Sequence, residues 1–95
     1  MMRVVIDADV VPRLAAHMRL RQDRARGQWT IQAPERSFVL DDIAHAIVSR
    51  CDGVASVAAI VADLCAAFPG APPDAVERDV AALLQDLADK GVITA

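Results

Sequence analysis

Few side chains in this 95-residue sequence could do chemistry. His17 has no carboxylate or cysteine at ligand spacing. His45 could serve as a general base, but a lone histidine in a helical stretch is more commonly a surface group or a satisfied core group. A metal site needs three or four converging ligands, and the sequence has no such spacing. Cys51 and Cys65 stand fourteen residues apart, which matches neither a CxxC redox pair nor a zinc knuckle. Both lie in apolar stretches and are expected as reduced thiols acting as small core hydrophobes. The four glycines are isolated at turns, so no phosphate-cradling loop is present. No catalytic residue, metal or cofactor is expected.

The arginines are the other chemically capable group. Residues 1–36 hold seven arginines against four acidic residues, whereas residues 37–95 hold nine acidic residues against Arg50, Arg78 and Lys90. One end of the molecule should be basic and the other acidic, an asymmetry that can orient a charged partner. Arg19, Arg21, Arg24 and Arg26 could together meet a DNA phosphate backbone. Against this stand the net charge of −3 and the last helical stretch, which carries Glu77, Asp79, Asp86 and Asp89 where a groove reader would carry donors. A winged-helix DNA-binding regulatory domain is therefore the alternative reading, and no nucleic acid is expected in the principal one.

These side chains must be positioned by a small number of elements. Aromatic residues are only Trp29, Phe38 and Phe68, so the core has to be built from Ala, Val, Ile and Leu. Residues 1–17 carry an apolar patch broken by Asp7, Asp9 and Pro12. They are expected as an N-terminal arm that is flexible or packs on the body or on a second copy. The aspartates argue against a signal peptide and Asp63 interrupts the longest uncharged stretch, so a cytoplasmic protein without membrane contact is expected. Residues 18–95 form the expected single domain.

From Met18 the sequence alternates strictly: Met18 and Leu20 face one way, Arg19 and Arg21 the other. Trp29, Ile31 and Ala33 repeat the pattern, and Arg24-Ala25-Arg26-Gly27 between them predicts a hairpin turn. Pro34 and Glu35 break the ladder before a short third extended segment, Ser37 to Leu40. At Asp41 and Asp42 the period becomes helical, with Ile43, Ala44, Ile47, Val48 and Cys51 following an acidic start. Asp52-Gly53 stops that helix. Ser56 caps a second with Val57, Ile60, Val61, Leu64 and Phe68 in one stripe, and Pro73 begins a third that ends near Lys90-Gly91. Val92 and Ile93 can fold back to seal the core. The fold class is α+β, winged helix-turn-helix-like, a three-stranded antiparallel sheet followed by a three-helix bundle.

In this arrangement the segment Arg36, Ser37, Phe38, Val39 and Leu40 lies at a sheet edge with unpaired backbone groups, where an extended peptide could add as a further strand. The flank of the third helix near Val76, Val80, Leu83 and Leu87 could form the facing wall. The same stripe is also what a core face looks like, and its central members are expected in the core.

The residues that carry a resemblance are Arg19 to Trp29 (RLRQDRARGQW), Ala33-Pro34-Glu35, Leu40-Asp41-Asp42-Ile43-Ala44 and Cys51-Asp52-Gly53. In this combination and order, from about Pro12 to Ile93, the chain resembles the PqqD family. The resemblance implies a recognition domain for ribosomally made, post-translationally modified peptides. It implies capture of the precursor peptide PqqA as a strand between the third strand and the third helix, and delivery to the radical-SAM enzyme PqqE in pyrroloquinoline quinone biosynthesis. Carried onto this sequence, Arg36 to Leu40 would be the edge strand, and Val76, Val80, Leu83, Leu84 and Leu87 the helix wall. Asp52 and Gly53 would be a helix stop, and Trp29 would pack the sheet on the helices. Arg19 and Arg21 would contact acidic residues of a partner.

Overall fold

The computed structural model describes residues 4–95, so residues 1–3 of the expected arm lie outside the described residues. The elements run in the order β1 (Arg13–Leu14), β2 (Arg19–Asp23), β3 (Gln28–Gln32), β4 (Ser37–Leu40), α1 (Asp42–Val48), α2 (Val57–Ala67), α3 (Pro73–Asp89) and β5 (Ile93–Thr94). Strands β2, β3 and β4 form an antiparallel sheet in that spatial order. The period of two fixes its register: Leu20 sits opposite Ile31, and Ile31 opposite Phe38, so the apolar members stack on one face. The turn between β2 and β3 closes through Gly27 at φ 66°, a left-handed conformation that a β-carbon would oppose.

The switch from strand to helix occurs where capping chemistry begins. Asp41 accepts a hydrogen bond from the Ala44 amide at 2.7 Å, and Ser56 does the same for Ala59 at 3.1 Å, each satisfying a donor that its helix leaves free. Between α1 and α2, the Asp52 carboxylate accepts from the Val54 and Ala55 amides and Gly53 takes φ 77°. Pro72 at the N-cap and Pro73 in the first turn open α3 without losing any helical hydrogen bond.

Met18, Ile31 and Leu40 from the sheet meet Ile47, Val48, Ile60, Leu64, Val80, Leu84 and Leu87 from the helices in one buried cluster. Val92 and Ile93 join it after the left turn at the end of α3. Of the expected stripes, Ala44, Val61, Val76 and Leu83 pack against this cluster partly buried, while Ile43 is 64% exposed and Phe68 52%. Helical spacing alone cannot tell a core position from an exposed one on the same flank.

A second sheet, of two strands, has no counterpart in the sequence reading. β1 pairs with β5, placing Arg13 opposite Thr94 and Leu14 opposite Ile93. Two-residue strands carry too little alternation to be legible. The chain before them is tied down by backbone bonds: the Val10 carbonyl accepts from Val57, the Ala8 carbonyl from Ala58, and the Pro12 carbonyl from Gly53. The first two supply acceptors to orphan amides in the first turn of α2. Gln85 holds the segment further out, accepting from the Ile6 amide at 2.9 Å and donating to the Val4 carbonyl at 2.8 Å.

Candidate peptide-binding groove

β4 pairs only with β3 among the described strands, so one of its sides is open. Which amides face that side follows from the ladder. Ala33 donates to the Arg36 carbonyl at 2.9 Å, which makes Ala33 and Arg36 a hydrogen-bonded pair in the register that continues into β4. Hydrogen-bonded and non-bonded pairs alternate in an antiparallel sheet, so Phe38 and Leu40 belong to the ladder with β3. The amides and carbonyls of Ser37 and Val39 therefore point to the open edge. The Phe38 and Leu40 side chains turn towards the helices, Leu40 being buried and Phe38 half-buried, while Ser37 and Val39 lie on the exposed face.

α3 runs beside this edge in the opposite sense. Val76, Val80, Leu83, Leu87 and Lys90 share one stripe by helical spacing. At one end, Arg36 donates to the Lys90 carbonyl at 2.6 Å, and the Arg36 guanidinium and Lys90 ammonium lie 5.3 and 6.0 Å from the Phe38 ring centre. Both are within the range of cation–π attraction. At the other end, Val76 and Val80 meet α1 around a hollow of about 230 Å³ whose wall includes Ile43, Ile47, Leu64 and Phe68, with Asp42 and Asp79.

The expected wall residues divide sharply. Val80, Leu84 and Leu87 are buried in the core, with exposures of 0, 0 and 3%. Val76 and Leu83 are half-buried and keep some surface. What the sequence reading missed is the apolar end of the groove: Ile43 and Phe68 read as core, and nothing in the spacing distinguishes them. Ile43 stands in the first turn of α1 and Phe68 is the C-cap of α2, and both helix-end positions stay exposed.

Trp29 stacks on His45 with ring centres 4.1 Å apart and planes 13° from parallel, packing β3 against α1. His45 is thus engaged by an indole, and His17 lies exposed in a turn. Arg19 folds back so that its guanidinium donates to the Ala16 and Met18 carbonyls, while Arg21 is exposed on the sheet's outer face. Cys51 is buried, and its thiol donates to the Ile47 carbonyl at 3.5 Å. Burial first, and the Asp52 charge second, push that thiol up to about 12. Among the described residues no group of three or more His, Cys, Asp or Glu is arranged to hold a metal ion.

A family model described as Coenzyme PQQ synthesis protein D (PqqD) matches residues 28–93. A PqqA binding protein of Rhodopseudomonas palustris is 45% identical over 92 residues, 97% of this chain and 89% of that protein. Another from Xanthomonas axonopodis pv. citri is 44% identical, covering 93% and 95%. The solution NMR structure of the PqqD truncation of Methylobacterium extorquens PqqCD is described as a functional, stand-alone recognition element for ribosomally synthesised, modified peptides. It superposes with a TM-score of 0.80 at 37% identity, over 95% of each chain. The crystal structure of PqqD from Xanthomonas campestris, 45% identical, gives 0.55 over 90% and 93%.

Proposed function

Since the chain belongs to the PqqD family, we propose that it binds the precursor peptide PqqA and presents it to the radical-SAM enzyme PqqE. The observation that carries this reading is the open side of β4, where the Ser37 and Val39 amides stand unpaired beside Phe38 and the uncovered flank of α3. An extended peptide satisfies those backbone groups as a further strand and sets alternate side chains against Phe38, Val76 and Leu83. The opposite edge of the sheet, β2, carries Arg19 and Arg21, and charged side chains there discourage strand addition. The two edges thus differ in the way that strand capture at β4 requires.

On this reading the protein makes no bond itself. It raises the local concentration of PqqA at the enzyme and fixes its orientation, and the cross-linking chemistry belongs to PqqE in the cytoplasm. Arg21, exposed on the outer face, meets acidic residues of PqqE, with Arg19 contributing less because its guanidinium is turned onto the backbone. The DNA-binding alternative has less support: Glu77, Asp79, Asp86 and Asp89 are all exposed on α3, the element that would have to enter a groove.

The test is an amide-resolved NMR titration with PqqA peptide, with a random DNA duplex as control. Shifts concentrated on residues 36–40 and on α3 are the expected result. Silence with peptide, together with shifts along the arginine hairpin on adding DNA, would replace this reading with the DNA-binding one.

A further inference from the structure

The groove is not electrically uniform along its length. At the end where β4 gives way to α1, the apolar hollow of Ile43, Ile47, Phe68 and Val76 is bordered by Asp42 and Asp79. Both carboxylates are exposed, and neither has an ion pair or hydrogen bond to its side chain among the described residues. At the other end, Arg36 and Lys90 lie over the Phe38 ring. Lys90 is engaged by Asp86 at 2.9 Å, whereas among the described residues the Arg36 guanidinium has no carboxylate partner and only the Lys90 carbonyl as acceptor.

We propose that this polarity reads the captured peptide directionally: the bound segment carries a cationic side chain towards its N-terminus, an aliphatic one next to it, and an acidic one towards its C-terminus. The inference rests on strand addition at β4, as proposed above. A strand added antiparallel, the better hydrogen-bonded arrangement, begins beside the C-terminal end of β4 and finishes beside Arg36. Its first residues meet Asp42 and Asp79, its aliphatic side chain enters the hollow, and its last residues meet Arg36. The helix dipole of α3 opposes this order, with a positive end near the hollow, but its charge is about half a unit against two full carboxylates. The hollow of about 230 Å³ is large enough for a branched aliphatic side chain and has an almost wholly apolar wall, so the charge must be read at its rim.

The experiment compares the whole chain with D42N/D79N, R36Q and V39P, titrated calorimetrically with PqqA peptide at low and high salt. PqqA bearing a nitroxide on its first or last residue is then added to the unaltered protein and followed by NMR. Exposed charge pairs are each worth only about 0.2–1 kcal/mol, so D42N/D79N should weaken binding about two- to thirtyfold at low salt, and R36Q about two- to fivefold. Both losses should shrink at 0.5 M salt. The N-terminal nitroxide should broaden Ile43 and Val76, and the C-terminal one Arg36 and Phe38. Unchanged affinity and salt slope in both charge variants, or the reverse broadening pattern, overturns the directional reading while loss of binding in V39P leaves strand addition standing. If V39P binds as the unaltered chain does, strand addition itself is wrong and the directional reading goes with it.

Discussion

Proline at Val39 separates the strand-addition reading from any binding mode that uses side chains alone. The Val39 amide faces the open edge rather than the ladder with β3, so removing it costs no hydrogen bond within the sheet. The Val39 side chain is 64% exposed, so little buried surface is lost. Proline is tolerated on edge strands for this reason, and the folded chain should lose no more than about 1 kcal/mol from its narrower φ preference. An incoming peptide loses more. One intermolecular hydrogen bond is worth about 0.5–1.5 kcal/mol, and a peptide carbonyl left without a donor adds about 1–3 kcal/mol. The sum corresponds to a fall in PqqA affinity of roughly tenfold to a thousandfold. The control is Phe38→Pro, which removes an amide that the ladder does use and should unfold the sheet. Calorimetric titration gives the affinity, and circular dichroism with the NMR fingerprint establishes folding. A folded V39P chain that binds PqqA with unaltered affinity would refute the assignment of the edge amides.

Other substitutions probe the parts that hold the groove in place. Leu84→Ala opens a cavity at a position with no exposure and should cost about 2–5 kcal/mol by denaturant titration; a loss below 1 kcal/mol would mean that α3 repacks freely. Gly53→Ala meets only ordinary contacts with Arg13, at 3.5 Å, so its cost should be the dihedral penalty at φ 77° alone, about 1–2 kcal/mol, read as a lowered Tm. Half-buried Cys65 should react with a thiol reagent well before buried Cys51, which should be modified only as the chain opens; equal rates would contradict the burial of Cys51. Because the folded Cys51 thiol is raised to about 12 from 9.0, the unfolded chain loses that proton first, and stability should fall as pH rises through that window. Cys51→Ala should flatten that part of the pH–stability curve.

Much of the fold was legible because local signals and tertiary demands agree. The alternation around Leu20 and Ile31, the turn at Gly27, and the caps at Asp41 and Ser56 each act within a few residues and are visible in the chain. The edge strand was legible for the same reason, Pro34 marking where the ladder breaks. What escaped depends on partners distant in sequence. Arg13 and Leu14 look like arm residues until Thr94 and Ile93 are beside them. Val76 and Val80 belong to one stripe, yet one keeps surface and the other has none, because packing against α1 and α2 varies along α3. Ile43 and Phe68 obey the helical period, but they stand at a helix start and a helix end, where the period does not reveal that no neighbour packs over them.

The side-chain clamp of Gln85 on Val4 bridges 81 positions of sequence, and β1 meets β5 across a similar span. Closing so long a loop has an entropic cost that local turns avoid, so these contacts should form after the hairpin and helices during folding. They should also be the first to open in the native state, releasing the arm while Val92 and Ile93 stay in the closed buried cluster. Amide exchange would reveal this as a shared, low protection for Ala15, whose amide donates to Val92, and for Ile6, below that of Ile60 and Leu84. The groove would then keep its shape through openings at the opposite end of the chain's topology, and the kinetics of peptide capture would be independent of how often the arm lets go.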